Sequence, residues 1–231
     1  RNIAGWNDWV TRTKTRPTMA LDYMSYANGW ADVANPAWLL DPWKAWLAAD
    51  AARTLVLSVP MLITGVAQQP GGNLWADTYF RQLAQNIHNR GMAAQTVIRF
   101  GWEMNGTWYP WGLPRRASAE TEAAYQPRIT ASCAWFVATW RRLHGIFRAV
   151  NPAFTFDWSI ASQDGTVTSS TPADPERLYP GDTYVDHLTA GKNWEAGART
   201  PADLPEANHT ERAESESKGA VQVNTLGLKD Q

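Results

Sequence analysis

The sequence has a single cysteine, Cys133, so no internal disulfide can staple it. Its four histidines are scattered without metal-ligand spacing, and no metal or cofactor is expected. Neither sign of charge dominates: 21 Lys and Arg stand against 22 Asp and Glu, a formal net charge of −1. That removes the basic field nucleic acid requires, so no nucleic-acid partner is expected. No apolar run reaches the length of a membrane span, which leaves no expected membrane partner. No leader-like stretch follows Arg1, so the numbering is read as starting after a removed segment. GxGxxG, Walker, HExxH and GxSxG motifs are all missing, and nucleotide and serine-hydrolase chemistry lose their usual signals.

What the sequence has is tryptophan, fourteen of them beside seven tyrosines and six phenylalanines. A heavily aromatic core and a sugar-stacking cleft would each produce this. A chain of 231 residues is long enough for one large domain with a sizeable core.

Short β-branched runs alternate with helical stretches over the first 187 residues, the pattern of a parallel sheet with helical crossovers. Strands are expected at Thr18 to Asp22, Thr54 to Val59, Thr96 to Glu103, Phe154 to Trp158 and Tyr184 to Asp186. Phe80, Leu83 and Ile87 recur at helical spacing before Gly91, a left-handed cap. Phe136, Trp140, Leu143, Phe147 and Val150 write a second helix that Pro152 closes. Successive units of this kind build a barrel or a doubly wound sheet. Residues 188–231 differ: Trp194 is their one aromatic, and Glu211 to Lys218 are charged without apolar periodicity. The expected organisation is a partial (β/α) domain over 1–187 and a polar, disordered tail over 188–231. A polar helix from Pro205 to Lys218 is the alternative for that tail.

The chemistry concentrates in Ile98-Arg99-Phe100-Gly101-Trp102-Glu103-Met104-Asn105-Gly106-Thr107-Trp108-Tyr109-Pro110-Trp111-Gly112. A buried-strand pattern runs into a carboxylate, then an Asn-Gly turn, then Trp108, Tyr109 and Trp111. Glu103 should therefore sit where a parallel strand opens into its loop, the position of catalytic groups in α/β enzymes. Alternation along that strand puts Arg99, Gly101 and Glu103 on one face, with Arg99 and Glu103 about 13 Å apart. Glycosidic cleavage needs a carboxylic acid to protonate the leaving oxygen and a second carboxylate to attack or to activate water. Glu103 suits the first role, because Trp102 and Trp108 beside it would raise its pKa by excluding water. The bland alternatives are a capping or salt-bridged Glu103 and tryptophans that are simply core.

This run resembles the signature of glycoside hydrolase family 26, the β-mannanase-like enzymes with a (β/α)8 TIM barrel. Tyr179-Pro180-Gly181-Asp182 followed by Tyr184-Val185-Asp186 is similar to the same family's sixth-strand segment, and Leu21-Asp22-Tyr23, the Trp30 to Trp38 stretch, Leu57 to Met61 and Phe156-Asp157-Trp158 agree more loosely. The resemblance implies that Glu103 is the general acid/base of a retaining mechanism. It also implies a monomeric, secreted enzyme cutting an internal β-linkage of a mannan-like or mixed-glucan polysaccharide. Asp22, Trp108, Tyr109, Trp158 and Asp182 are implied around the sugar cleft. Trp102, Asn105, Trp111, Asp157 and Tyr179 join them as candidate substrate contacts, although Asp22, Asp157 and Asp182 equally fit capping or turn roles.

Three departures from the family pattern bear on this reading. Many members carry His where this chain has Trp102, which points away from mannan. The family's first strand, before the helix containing Trp6 and Trp9, has no room here. Its nucleophile is a Glu ending the seventh strand, whereas Glu195, Glu206, Glu211, Glu214 and Glu216 follow no strand-like run. The chain is thus expected to form an incomplete barrel with first and last strands missing, two unpaired sheet edges and weak or absent turnover. A non-catalytic carbohydrate-binding relative is the rival reading.

Overall fold

A computed structural model describes residues 3–161, 172–192 and 222–225. Its elements run α1 (Ile3–Thr13), β1 (Met19–Tyr23), α2 (Trp30–Ala34), α3 (Ala37–Ala48), β2 (Thr54–Val59), α4 (Asp77–Asn89), β3 (Thr96–Phe100), α5 (Glu122–Val150), β4 (Thr155–Ala161), β5 (His187–Lys192) and β6 (Gln222–Thr225). The sheet order follows the chain, β1 to β6. The first five strands are parallel and β6 pairs antiparallel to β5. This is an α/β architecture, a curled half-barrel.

Alternation sorts the strand residues onto two faces. Phe100 of β3 and Phe156 of β4 turn toward the helices, where both meet Phe147 of α5 and Phe100 also meets Trp140. Arg99 and Asp157, one position away on each strand, turn to the other face and form a buried ion pair at 2.5 Å. Thr189 of β5 shares its hydroxyl with this pair. Ser58, in register with Arg99, is also fully buried there. A charged pair on the concave face survives because each partner satisfies the other where water is excluded.

The helices follow from local chemistry. In α4, Phe80, Leu83, Ala84 and Ile87 form the buried stripe, and Gly91 at φ +73° ends the helix where a side chain would be strained. Thr121 caps α5, its Oγ1 accepting the Ala124 N–H at 3.3 Å. The helix then runs 29 residues across the sheet with Pro127 tolerated near its start. His144 is half-buried on α5 against Phe156 and Tyr184. Burial first, then Arg148, pushes its pKa down, against an opposing pull from Asp186.

The structure corrects several boundaries. β3 stops at Phe100 rather than Glu103, because Gly101 at φ +50° and Glu103 at φ +54° turn the chain out of the extended region. Arg99, Gly101 and Glu103 therefore do not share a strand face. Residues 182–184 are a single 3-10 turn, and the fifth strand begins at His187. The boundary set at residue 187 thus falls at the start of β5, whose apolar content is too low to announce a strand; pairing with β4 from Asp157 to Ala161 fixes it instead. β6 covers the outer edge of β5, so the two unpaired edges among the described residues are those of β1 and β6. The alternative helix at 205–218 and all five tail glutamates lie outside the described residues.

Phe147 is fully buried and touches Phe100, Phe154 and Phe156. Phe147→Ala should destabilise the chain by about 3–5 kcal/mol, read from denaturant unfolding. A loss below about 1 kcal/mol would show that this aromatic joint does not hold α5 to the sheet.

Candidate active site

Glu103 stands just beyond the C-terminal end of β3, on a tight turn over the end of β4. Its N–H donates to the Ser159 carbonyl at 2.9 Å and its own carbonyl accepts from Gly106 at 3.0 Å. Asn105 closes the turn onto β4 twice, receiving the Ala161 N–H at 2.8 Å and donating to the Ala161 carbonyl at 3.1 Å. A non-glycine residue at positive φ is uncommon, and these contacts hold Glu103 there. Gly101 is required beneath it: a Cβ would lie 2.6 Å from Met61 Sδ and 3.0 Å from Trp111 Cδ1.

The carboxyl group is largely withdrawn from water, with Glu103 7% exposed. Burial raises its pKa above the ordinary carboxylate value, and this outweighs the Trp108 hydrogen bond and the positive field of Arg99, which both lower it. Trp108 Nε1 donates to Glu103 Oε2 at 2.9 Å and fixes the carboxyl's direction. The Trp108 ring covers Gly106 so closely that a Cβ there would come within 2.4 Å of it. The Asn-Gly pair therefore has two separate purposes: Asn105 straps the loop and Gly106 makes room for an indole.

The aromatics of this segment divide by burial. Trp111 is fully buried, stacked on Tyr109 at 4.7 Å with its N–H given to the Trp102 carbonyl at 2.9 Å. Trp102 is buried against Tyr23, Tyr109 and Trp111. Both were expected as sugar contacts, and both are buried among neighbouring rings. Asn105 is likewise spent on β4. Trp108, 37% exposed, and half-buried Tyr109 remain on the solvent side.

The other expected contacts have partners elsewhere. Asp22 accepts the Tyr23 N–H at 2.8 Å and Trp43 Nε1 at 2.7 Å, tying β1 to α3. Asp157 is locked to Arg99 and Thr189 inside the sheet. Trp158 faces the helical side, donating to the Leu178 carbonyl at 3.2 Å and packing on Tyr179. Tyr179 donates to Asp182 at 2.9 Å within the turn that precedes β5. Ser159, Gln68 and Tyr26, which do hold or flank the Glu103 loop, carried no sequence signal beyond their place near strand ends. Among the described residues no cluster of metal-ligating side chains is present.

No protein-family model matches the chain. Among curated proteins, Endoglucanase H of Acetivibrio thermocellus is 31% identical over 120 residues, which are 52% of this chain and 12% of that protein. Among solved structures, the YdhT protein from Bacillus subtilis superposes with a TM-score of 0.56 at 17% identity, covering 84% of this chain and 60% of that one. A Bacillus subtilis mannanase, BCman, gives 0.53 at 18% identity, covering 82% and 58%. GH26C from a Muricauda species gives 0.53 at 15% identity, covering 80% and 53%. At these identities the structural likeness is one of fold. The chain spans about an eighth of the curated relative and between half and two thirds of each solved neighbour. The class defined by fold and site is an α/β half-barrel with a dry carboxyl at a strand end. Within that class the chain is similar in fold to a mannanase and to GH26C and, over about half of its own length, similar in sequence to Endoglucanase H.

Two outcomes follow from the site's electrostatics. A carboxyl whose folded-state pKa is raised stabilises the fold below its unfolded pKa of about 4.5, and that contribution is lost as pH rises through the folded value. Wild type should therefore lose stability relative to Glu103→Gln as pH climbs from 4 to 8, measured by denaturant midpoints; the reverse trend would mean the carboxyl is stabilised as an anion. Trp108→Phe removes the donor that lowers the pKa. The carboxyl-carbon NMR titration of Glu103 should then move to higher pH, whereas an unchanged or lower midpoint would show that the indole N–H does not hold the anion.

Proposed function

We propose that this chain carries the acid/base half of a retaining glycoside hydrolase of the family 26 kind, acting on internal β-linkages of a polysaccharide. The observation that carries this reading is Glu103: a carboxyl at a barrel-strand end, pushed toward its protonated form by burial and aimed by the Trp108 N–H. In the first step a protonated Glu103 gives its proton to the glycosidic oxygen while a second carboxylate, supplied from outside the described residues, bonds to the anomeric carbon as the bond to that oxygen breaks. In the second, as a carboxylate, it takes a proton from the water that attacks the glycosyl intermediate. The raised pKa favours the first step, and the Trp108 hydrogen bond steadies the anion left after it. Trp108 and Tyr109 offer apolar faces on which a pyranose can lie.

The neighbours support the substrate class: a mannanase among solved structures and an endoglucanase among curated proteins both point to β-linked polymers. Such polymers are too large to enter a cell, and the reading places the enzyme outside it. The second carboxylate belongs to no described residue of the site, since Asp22, Asp157 and Asp182 are engaged elsewhere. A second reading is a glycan-binding relative without turnover; what supports it is the exposed indole of Trp108, held in place beside Glu103 by its own N–H bond.

Incubation with β-mannan and with mixed-linkage β-glucan separates the two. The leading reading expects new reducing ends with retained anomeric configuration by NMR. Glu103→Gln should lower the rate by about 10² to 10⁴, the usual worth of a positioned proton donor. Saturable binding without hydrolysis selects the second reading, and neither binding nor hydrolysis would sink both.

A further inference from the structure

Trp75 stands 45% exposed in the connection from β2 to α4, with Leu74 beside it more exposed still. The indole is nonetheless held in place. Its Nε1 donates to Gln69 Oε1 at 3.3 Å, and its ring packs edge-on against Trp30 at 5.2 Å. Trp30 is itself stacked on Tyr79 and set edge-on to Phe80. An exposed, fixed indole with its N–H already satisfied has one thing left to offer, an apolar ring face.

The same connection also grips the Glu103 loop. Gln68, next to the residue that anchors Trp75, donates to the Gly112 carbonyl at 2.8 Å and accepts from the Ser132 hydroxyl at 2.7 Å. A second link is aromatic. Tyr26, between β1 and α2, lies edge-on to Tyr109 at 5.6 Å and to Trp111 at 5.5 Å, and its carbonyl accepts the Thr64 N–H at 2.8 Å. The three connections leave the C-terminal ends of three adjacent parallel strands, spaced about 4.8 Å apart. Two aromatic groups therefore stand on these connections, Trp108, Tyr109 and Tyr26 in one and Trp30 and Trp75 in the other, with Tyr26 and Trp30 four positions apart in the chain.

We propose that Trp75, backed by Trp30, is an outlying sugar platform for the same β-linked polysaccharide strand whose nearer units meet Trp108 and Glu103. The proposal rests on the function proposed above and names residues that extend its cleft. Trp38 supplies a built-in comparison. It is 54% exposed, with its Nε1 bonded to Asp32 Oδ1 at 2.7 Å. Positions 30 and 32 lie about 200° apart around α2, so the anchor of Trp38 is on a different side of that helix from Trp30.

The test is isothermal titration of the full chain carrying Glu103→Gln with manno- and mixed-linkage gluco-oligosaccharides of two and six sugars. The six-sugar ligand should bind tighter than the two-sugar one. Adding Trp75→Ala should weaken six-sugar binding about tenfold and leave two-sugar binding unchanged. Trp75→Tyr should restore most of the loss, and Trp38→Ala should have no effect. Unfolding midpoints of each variant show whether a loss reflects the fold, and the Tyr variant keeps a ring in place if the Ala variant is unstable. Six-sugar affinity that ignores Trp75→Ala, or falls equally with Trp38→Ala, overturns the platform and leaves the role of Glu103 standing. Absence of binding at either length in the Glu103→Gln protein overturns both.

Discussion

One buried carboxyl and the turn that carries it constrain most of the surrounding structure. Glu103 occupies a left-handed backbone conformation, and such a residue stays put only when its neighbours leave no alternative. Here the Ser159 carbonyl takes its N–H, Asn105 fastens the loop to Ala161 on both sides, and Trp111 reaches back to the Trp102 carbonyl. The loop is closed onto the end of β4 as firmly as a strand is closed onto its neighbour. Without that closure the carboxyl would be a solvated loop residue of ordinary acidity.

The sheet accommodates a second charged group by the opposite means. Arg99 is also withdrawn from water, yet it is neutralised locally by Asp157 and tied to Thr189. Its remaining field reaches Glu103 only as the smallest of three influences, and desolvation prevails. One buried charge is paired and the other unpaired. Burial raises the Glu103 pKa, and such a perturbation is the usual mark of a group kept for chemistry rather than for the fold.

The abundance of tryptophan resolves into different uses. Trp102, Trp111 and Trp140 are core, and Trp43 and Trp46 pack on one another between α3 and the sheet. Trp108, Trp75 and Trp38 present surface while their N–H groups are bonded to Glu103, Gln69 and Asp32. The aromatic core expected from composition is thus present, and a separate set of indoles stands at the surface. Burial distinguishes them, and local sequence does not: Trp108 and Trp111 are three positions apart in the same aromatic run.

The sequence by itself determined the βα alternation, four of the five parallel strands to within a few residues, the amphipathic α4 with its Gly91 stop, and the position of a carboxylate at the end of β3. Those features are written in short-range chemistry: β-branched runs, helical spacing and turn residues act over a few neighbours. Tertiary structure alone decided that β5 is His187–Lys192, because a strand of weak propensity exists only through its ladders with β4 and β6. It decided that Asp22 braces α3 and that Asp157 belongs to Arg99, since an aspartate at a strand end reads the same whether its partner is a sugar, an indole or a guanidinium. It also decided that desolvation wins at Glu103, because burial of a carboxyl depends on which distant segments meet around it, and no local pattern records that meeting.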